Sequence, residues 1–527
     1  MTSSAIIPYT IEPVAALPID THLAKALLDS VAEYGSQLHG RRIWLACSGG
    51  RDSLALAALC VQLYHQGRLP FLPQLLHVDH GLQVDSYYWA VHVANWARMQ
   101  QIPCYILHAQ VNGHDEQAAR QARYDVMRAR MNQEDVLLLA HHADDQAETL
   151  LMRLIQGAGV NGLSGMQPWR VQTKGAHRIV LWRPWLTIQR ANISAYAKRL
   201  QLPYIDDPTN EIGDNVRSGL RRDIMPALAK YNPNVINNMA RSAQLLSDAE
   251  ATVQAQAAQD MQQVAIHALQ LLPAQRVLDI DKLKALPEYR QRQLLHHWLG
   301  QDEPLPPTKQ LIDDVLHLSQ RRDNDHQTML FWQGRKQSYT IRRYRQQLYR
   351  LSAQWSAWLE APLSDQTQVI LDPRVADIDP DNANNASITL RTSADFIWQL
   401  HIKPRELASL FNEDKDEKTH QTLLKVAPLD RKQRLKTALS TLPQSGKKLF
   451  QTLGIPFWLR ESLVVVSVAL VNRDIEPIDA ESLQTIPVLL LSPFDSWMLR
   501  TDKLTPENKV TSFSEVIKNE LHASHKP

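Results

Sequence analysis

The stretch that decides the fold runs Ile43-Trp44-Leu45-Ala46-Cys47-Ser48-Gly49-Gly50-Arg51-Asp52-Ser53. Its apolar first half predicts a buried β-strand, and the residues from Ser53 to His65 have the composition of a helix. Two glycines between a strand and a helix let the backbone approach a phosphate, and the amides at the helix start point toward it. A plain turn with Asp52 or Ser53 as helix N-cap is the simpler interpretation, and the surrounding sequence must decide.

Short apolar runs and amphipathic stretches alternate on both sides of this turn, from Arg42 to about Gln201. The runs predict further strands at residues 75–78, 105–107, 136–140 and 179–182, and the stretches between them predict helices at 87–100, 116–131 and 145–156. Fully apolar strands that alternate with helices indicate a parallel sheet covered by helices on both faces. We therefore predict an α/β, Rossmann-like N-terminal domain that binds its ligand at the carboxyl ends of the strands.

The composition changes near Pro226, and the rest of the chain predicts other architectures. Residues 234–272 indicate a long helix, shorter helices follow as far as Leu318, and the polar stretch around residues 377–387 indicates a linker. We predict a first domain at 1–228, a mainly helical domain at 229–376, a linker at 377–388, a small α+β C-terminal domain at 389–500 and a polar tail at 501–527.

Charge and cysteine content restrict the class of protein. The 527 residues include 57 Lys and Arg and 55 Asp and Glu, so the formal net charge is +2. This balance excludes a polybasic protein but allows local basic faces. Only Cys47, Cys60 and Cys104 are present, which excludes a disulfide framework and predicts a reducing compartment. With no signal-peptide pattern and no apolar run near the roughly 18 residues of a bilayer span, we expect a cytoplasmic protein without membrane contact.

Polar residues follow two of the predicted strands. His77 and Asp79 come after the second strand, and the block from His141 to Thr149 comes after the fourth. Within that block we predict a buried apolar stripe on the helix, with Asp145 and Glu148 together on another face; the stripe comprises Ala147, Leu150, Leu151, Leu154 and Ile155. Taken alone, such acids complement the helix dipole by up to roughly 1 kcal/mol. At the same sheet edge as the nucleotide turn, they are also suited to receive a cationic substrate group.

These histidines and acids also suggest a Zn or Mn hydrolase, since both residue types are common metal ligands. Neither H-x-H-x-D-H nor H-E-x-x-H occurs, so the metal hydrolase is the less favoured interpretation.

The pattern Ser-Gly-Gly-x-Asp-Ser at residues 48–53 resembles the pyrophosphate loop of the N-type ATP pyrophosphatases, also called the PP-loop family. The chain has no G-x-x-x-x-G-K-[ST] motif, so the loop is not of the Walker type. The resemblance implies cleavage of ATP between the α- and β-phosphates. It implies that Asp52 binds Mg²⁺ and that ATP is bound by Ser48, Gly49, Gly50, Arg51, Asp52, Ser53, His77 and Asp79.

Further motifs resemble the tRNA(Ile)-lysidine synthetase family. They lie at residues 77–82, Glu116-x-x-Ala119-Arg120-x-x-Arg123-Tyr124, 141–149, 157–159, 162–166 and 207–210, and more weakly at 286–299 and 446–460. The resemblance implies that ATP adenylates the 2-oxo group of the wobble cytidine in the CAU anticodon of an isoleucine tRNA. Free L-lysine then displaces AMP to give lysidine, so the anticodon reads AUA instead of AUG and the tRNA changes identity from methionine to isoleucine.

The same resemblance assigns roles to residues. Asp145 and Glu148 are expected to bind the lysine ammonium, and a nearby carboxylate to accept its proton. Arg120 and Arg123 are expected to contact the adenylate or tRNA phosphates, although a solvated helix face is the alternative. The domain at 229–376 is expected to bind substrate, and the domain at 389–500 to bind tRNA.

Three positions depart from the family pattern: Gln83 after His-Gly-Leu, Ile212, and Ser218 in Arg217-Ser-Gly-Leu-Arg221. The basic stretch at 321–350 also contains Trp332, Tyr339, Tyr344 and Tyr349, which either stack on bases or pack in a core.

A tRNA 2-thiolation enzyme is the nearest rival function. It would need reactive cysteines, but the three cysteines of this chain are predicted on buried elements. A non-catalytic tRNA-binding protein is the rival of another class, and the oligomeric state, monomer or homodimer, stays open.

Overall fold

The computed structural model describes residues 13–79, 81, 86–110, 116–174, 177–205, 216–266, 277–321, 328–361, 367–371, 386–392, 396–403, 420–472, 485–493, 495–500 and 517–523. The chain divides into two compact units, Met1–Thr252 and Val253–Pro527. Within the described ranges, none of the helices combines the length and the apolar character that a bilayer span requires.

The first unit is built around a six-stranded sheet. Its strands are β1 (Ile43–Ala46), β2 (Gln74–Asp79), β3 (Cys104–His108), β4 (Val136–Leu138), β5 (Trp169–Lys174) and β6 (His177–Trp182). The order across the sheet is β3-β2-β1-β4-β6-β5, and all neighbours are parallel except β5 and β6. The chain leaves β1 toward β2 on one side and returns to β4 on the other. The predicted Rossmann-like sheet is confirmed, and its ligand crevice is expected between β1 and β4.

The edge strand β5 was not predicted from the sequence. It pairs antiparallel with β6 from Trp169↔Trp182 to Lys174↔His177. Most of its residues are exposed and polar, so it lacks the continuous apolar run that marks a buried parallel strand.

The helices of the first unit cover this sheet. They are α1 (Thr21–Glu33), α2 (Gly35–Leu38), α3 (Arg51–His65), α4 (Ser86–Met99), α5 (Glu116–Arg130), α6 (Ala143–Ile155), α7 (Val160–Leu163), α8 (Arg190–Arg199), α9 (Val216–Gly219) and α10 (Met225–Tyr231), with a 3-10 helix at Val14–Ala16 and a π-helix at Leu220–Ile224. Every residue of α3 from Ser53 to Leu63 is buried. The buried side-chain amide of Gln62 donates to the carbonyls of Val14 and Leu17 and accepts from the Tyr196 hydroxyl. Its nitrogen and its oxygen are therefore both hydrogen-bonded inside the core.

Two predictions about helices need correction. The predicted apolar stripe of α6 is only half buried: Leu150 is 9% exposed, but Leu154 and Ile155 are 57% and 68% exposed. The second turn instead buries Gln146, Glu148 and Thr149, because polar partners from other segments meet them there. The long helix predicted at 234–272 is α11 (Val235–Val264), which ends before an isolated bridge between Ala265 and Leu278.

The second unit begins with a small helical layer packed on a sheet. Helices α12 (Ile280–Ala285), α13 (Glu288–Leu299), α14 (Lys309–Gln320) and α15 (Ala353–Glu360) accompany an antiparallel sheet in the order β7-β10-β9-β8, formed by β7 (Leu278–Asp279), β8 (Met329–Gln333), β9 (Ser338–Tyr344) and β10 (Gln347–Ser352). The region predicted as mainly helical therefore also contains a sheet.

The basic and aromatic stretch at 321–350 supplies three strands of this sheet. Tyr339, Tyr344 and Tyr349 are buried, and the buried Arg350 guanidinium lies 4.1 Å from the centre of the Tyr339 ring while it pairs with Asp302. For these three tyrosines the packing interpretation applies, because their rings belong to the core.

Two more antiparallel sheets complete the second unit. One has the order β11-β14-β15-β16-β17 and the other β12-β13-β18; the strands are β11 (Thr367–Leu371), β12 (Ala386–Thr392), β13 (Phe396–Ile402), β14 (His420–Pro428), β15 (Val464–Asn472), β16 (Ile486–Leu491), β17 (Ser496–Met498) and β18 (Ile517–Ala523). Helix α16 (Gly446–Leu453) and a 3-10 helix at Phe457–Ser462 lie between β14 and β15 in the chain. The segment expected to be a polar tail contains β18, which pairs with β13. The predicted domain boundaries stay a prediction.

Candidate active site

The turn after β1 has the backbone of a phosphate-binding loop. Gly49 has φ +83°, and a Cβ there would lie 2.9 Å from Val93 Cγ2, so both conformation and space require glycine. Gly50 is the N-cap of α3 and forms no side-chain cap. The first amides of α3 are therefore available to an anion, in keeping with the dipole of the helix.

Serine hydroxyls hold this loop in shape before any ligand binds. Ser53 Oγ donates to the Gly50 carbonyl at 3.0 Å, and Gly50 N donates to Ser48 Oγ at 3.3 Å. Arg51 points elsewhere: its guanidinium donates to Ser194 Oγ at 3.2 Å and lies 4.6 Å from the centre of the Tyr204 ring. The predicted role of Arg51 in ATP binding stays a prediction.

A cavity of about 360 Å³ lies at the carboxyl edge of the sheet next to the loop. It brings together most of the predicted residues, namely Ser48, Gly50, Asp52, Ser53, His77, Asp79, Arg120, Arg123 and Asp145. Gly49, Arg51 and Glu148 do not line it. Residues for which the sequence predicted no role also line it, among them Trp89, Tyr124 and His141.

Asp52 lies on the first turn of α3 and is the candidate metal ligand. Its Oδ2 atom is 3.6 Å from His142 Nε2 and 3.8 Å from Arg190 Nε. Its Oδ1 atom is buried and accepts no hydrogen bond from the described residues. Mg²⁺ is usually held by one or two carboxylates together with substrate phosphates, so an unpaired carboxylate oxygen beside a phosphate loop fits this ion. The part of the chain described here offers no cluster of three metal-binding side chains, as a hydrolase centre would need.

His77 and Asp79 lie on β2, beside the loop. His77 is buried, and its Nδ1 atom donates to the Cys47 carbonyl at 2.9 Å, which fixes the ring. Asp79 Oδ1 accepts from Gly81 N at 3.0 Å, and Oδ2 lies 3.6 Å from His108 Nδ1. Burial opposes ionisation of Asp79, but the Gly81 amide and the Ser86 hydroxyl outweigh it and lower the pKa of this carboxyl.

His142 is the N-cap of α6 and joins several carboxylates. It forms a capping box with Asp145: His142 N donates to Asp145 Oδ2 at 3.1 Å, and Asp145 N donates to His142 Nδ1 at 3.4 Å. Burial would lower the pKa of His142, but contact with Asp52 and the charges of Asp145 and Asp144 raise it above its usual value. A protonated Nδ1 could no longer accept the long hydrogen bond from Asp145 N. It would face Asp144 Oδ2 instead, which lies 3.6 Å away.

Asp145 and Asp144 differ in what they face. Asp145 lines the cavity. Burial would raise the pKa of Asp145, but the charge of His142, a hydrogen bond from the His142 backbone amide and the charge of Arg217 keep that pKa low. The Asp145 carboxylate is therefore ionised and suited to a cationic group. Asp144 Oδ2 accepts from Arg190 N at 2.8 Å and so fixes the start of α8.

Glu148 is not available in the way that the sequence suggested. It is 2% exposed, and Arg221 on the π-helix binds both its oxygens, with Nε–Oε1 at 2.7 Å and a second nitrogen–Oε2 distance of 2.9 Å. Arg217 supports the same face of α6 by donating to Thr149 Oγ1 at 3.0 Å. Both arginines belong to a segment that resembles the family motif, but no local signal in the sequence pairs residues more than 60 positions apart.

Arg120 and Arg123 reach the cavity from α5. Both line it, so the alternative of a fully solvated helix face does not describe them. The Arg120 guanidinium lies 5.3 Å from the centre of the Tyr124 ring, which also lines the cavity. Two cations that line a cavity beside this loop would attract a polyanion.

The cysteines have the environment of packing residues. Cys47 and Cys60 are buried, and burial raises the pKa of Cys47 to about 11 and that of Cys104 to about 12. Such thiols are protonated at neutral pH and are poor nucleophiles. Of the other positions discussed above, Gln83, Ile212 and residues 207–210 lie outside the described residues, and Ser218 lies in α9.

Comparison with known proteins identifies the family. A model of the PP-loop domain matches residues 19–228, and a model of the TilS substrate binding domain matches residues 278–349. A tRNA(Ile)-lysidine synthase from Psychrobacter sp. is 39% identical over 526 residues, which cover 95% of this chain and 98% of the relative. One from Pseudomonas aeruginosa is 37% identical over 349 residues, covering 65% of this chain and 74% of the relative.

Among solved structures, a U34-tRNA thiolase NcsA from Methanococcus maripaludis is similar with a TM-score of 0.34 and 18% identity, covering 43% of this chain and 80% of that one. The match with the Psychrobacter relative extends along nearly the whole chain, and the PP-loop match includes the sheet that carries the cavity. The chain is an ATP-using enzyme, and it belongs to the tRNA(Ile)-lysidine synthase family.

Proposed function

We propose that this enzyme joins the ε-amine of free L-lysine to C2 of the wobble cytidine in the CAU anticodon of an isoleucine tRNA. The observation that carries this proposal is that the nucleotide loop and the ionised carboxylate of Asp145 line the same cavity. Activated nucleotide and amine would therefore meet over the same cytosine. The product would read AUA instead of AUG and accept isoleucine instead of methionine.

In the first step, Ser48, Gly50, Ser53 and the first amides of α3 hold the phosphates of ATP. Asp52 Oδ1 would be the protein ligand of Mg²⁺, which when bound neutralises charge on the phosphates. The 2-oxo oxygen of cytosine forms a bond to the α-phosphorus, and the bond from that phosphorus to the bridging oxygen breaks. Pyrophosphate leaves with the bonding electrons, and the cytidine is adenylated. Arg120 and Arg123 contact phosphates of the adenylate or of the tRNA backbone.

In the second step, Asp145 binds the lysine ammonium and accepts a proton from it, which makes the amine a nucleophile. The amine nitrogen bonds to C2, the bond between C2 and its oxygen breaks, and the oxygen leaves as part of AMP. Glu148 stays part of the proposed lysine site, but its oxygens are engaged by Arg221. We therefore assign the direct contact with the amine to Asp145 and the placement of Arg221 to Glu148. Cytoplasmic location and a homodimer stay predictions.

The test is a reaction with ATP, Mg²⁺, lysine and an unmodified isoleucine tRNA transcript, with AMP, pyrophosphate and the modified nucleoside all quantified. We expect AMP and lysidine in equal amounts, and neither when lysine or tRNA is left out. A transcript with uridine at the wobble position is the matched control and should yield neither product. Release of ADP, or incorporation of sulfur in place of lysine, would refute the proposal.

A further inference from the structure

His141 is a cavity residue to which the proposed mechanism gives no task. It follows β4, whose neighbour in the sheet is β1, with Leu45 paired to Leu138. The nucleotide loop follows β1, and His141 lines the same cavity as Ser48, Gly50 and Asp52. His141 therefore lies at the crevice where the strand order reverses, which is where sheets of this type bind a nucleotide.

The tautomer of His141 follows from its partner. Arg183 Nε donates to His141 Nδ1 at 3.1 Å, and a guanidinium can only donate, so Nδ1 carries no proton. Arg183 is itself buried and fixed, because another of its nitrogens donates to the Gln167 carbonyl at 2.9 Å. Ser247 in turn donates to the Gln167 side chain at 2.8 Å. The proton of the neutral ring is therefore on Nε2.

The ring also stays neutral. Burial lowers the pKa of His141 to about 3, although the charge of Asp145 opposes this, and the nearby Arg183 lowers it further. No other hydrogen bond to this ring is formed by the residues that the structure describes. His141 thus offers one fixed donor, and its proton cannot be lost to solvent as that of an imidazolium can.

We propose that His141 Nε2–H donates a hydrogen bond to an oxygen of the α-phosphate, first in ATP and then in the adenylated cytidine. This inference rests on the proposed function. Negative charge develops around the α-phosphorus when pyrophosphate leaves, and on the departing oxygen when AMP leaves. A preorganised donor stabilises that charge without gaining or losing a proton in either step. A neutral donor also avoids the tight binding of the AMP product that another cation would cause.

The same geometry excludes other uses of this ring. A general base needs an unprotonated nitrogen toward the substrate, but the unprotonated Nδ1 faces Arg183. A metal ligand needs the same, and Nε2 carries the proton. The role that remains besides donation is structural, as an acceptor that anchors Arg183.

Three substitutions separate donation from anchoring. His141→Gln places an amide N–H near the position of Nε2, whereas His141→Asn keeps an acceptor for Arg183 but is too short to supply the donor. His141→Ala removes both. We expect kcat within about tenfold of wild type for Gln, and lower by about 10²-fold for Asn and Ala. The KM for lysine should change by less than about threefold, because the lost contact is to the phosphate. His65→Gln, at an exposed position on α3, is the control and should behave as wild type.

The opposite order would overturn the inference: if Asn matched wild type while Ala failed, His141 would only anchor Arg183. A Gln variant as slow as Asn would overturn it as well. NMR of the ¹⁵N-labelled histidine ring reads the tautomer in the wild-type enzyme without any substrate, and a proton on Nδ1 would refute the argument. If wild type formed no lysidine at all, the proposed function would fall, while the tautomer measurement would still decide the geometry.

Discussion

The nucleotide loop at residues 48–53 and the acidic block at residues 141–149 lie at the same sheet edge but are built in different ways. The loop is closed by bonds among Ser48, Gly50 and Ser53, all within six residues of chain. The side chains of the acidic block are instead positioned by hydrogen bonds to residues distant in the chain, among them Arg183, Arg190 and Arg221. The chemistry of a locally closed motif can therefore be predicted from the sequence. For an acidic run, the sequence does not show which carboxylate faces the substrate.

The largest expected effect tests the loop. Asp52→Asn should lower AMP formation by at least about 10³-fold, because the metal ion would lose its charged ligand beside the phosphates. The expected circular dichroism spectrum is that of wild type, since Asp52 Oδ1 has no partner among the described residues and Oδ2 lies 3.6 Å or more from His142 and Arg190. Near-normal turnover in this variant would remove the basis for the metal assignment.

The next prediction compares two carboxylates of the acidic block, Asp145, which lines the cavity, and Glu148, which pairs with Arg221. Asp145→Asn should raise the KM for lysine by about 10- to 100-fold with little change in ATP binding, because it removes the charge that faces the cavity. Glu148→Gln should instead lower stability by about 1–2 kcal/mol, since it weakens a pair in which Glu148 is buried and Arg221 is 36% exposed. Lysine titrations and thermal unfolding of both variants measure the difference. Equal lysine effects and equal melting temperatures would show that the two residues form one site.

A smaller effect tests the backbone of the loop. Gly49→Ala should cost about 1–2 kcal/mol of folding free energy, because alanine must adopt a positive φ. Its Cβ must also displace Val93, which lies 2.9 Å from that position. Gly67→Ala is a suitable comparison, since Gly67 has φ +69° but open space around it. Chemical denaturation should show a larger loss at Gly49 than at Gly67, and ATP binding should fall only for Gly49→Ala.

The same contrast explains how much the sequence could predict. The parallel sheet followed from continuous apolar runs, and the loop from glycine and serine at fixed spacing. Edge strand β5 was not predicted because most of its residues are polar and it lacks a continuous apolar run. The stripe on α6 was predicted wrongly because apolar periodicity cannot show that Glu148 is buried. That burial depends on Arg221, and the state of His141 depends on Arg183. These pairs of residues meet only when the chain folds. The spacing of residues in the sequence therefore could not predict the burial of Glu148 or the protonation state of His141.

The smallest expected effect concerns the cysteines. Replacing Cys47, Cys60 and Cys104 together by Ala or Ser should leave lysine transfer within about tenfold of wild type per folded molecule, because the proposed nucleophile is the amine of the lysine substrate. Cys47 precedes the loop, so folding must be measured alongside, with a loss of roughly 1–2 kcal/mol expected from changes in the core. A folded variant without any modified cytidine would instead favour a thiol mechanism.

In the proposed reaction the oxygen of cytosine leaves as part of AMP, and an isotope label tests this most directly. A tRNA transcript carrying ¹⁸O at the 2-oxo position of the wobble cytidine is allowed to react with ATP, Mg²⁺ and lysine, and the AMP is analysed by mass spectrometry. In the proposed mechanism the bond between C2 and this oxygen breaks after the oxygen has joined the α-phosphorus, so we predict one ¹⁸O atom in each AMP. Unlabelled AMP, formed together with lysidine, would contradict an adenylated cytidine.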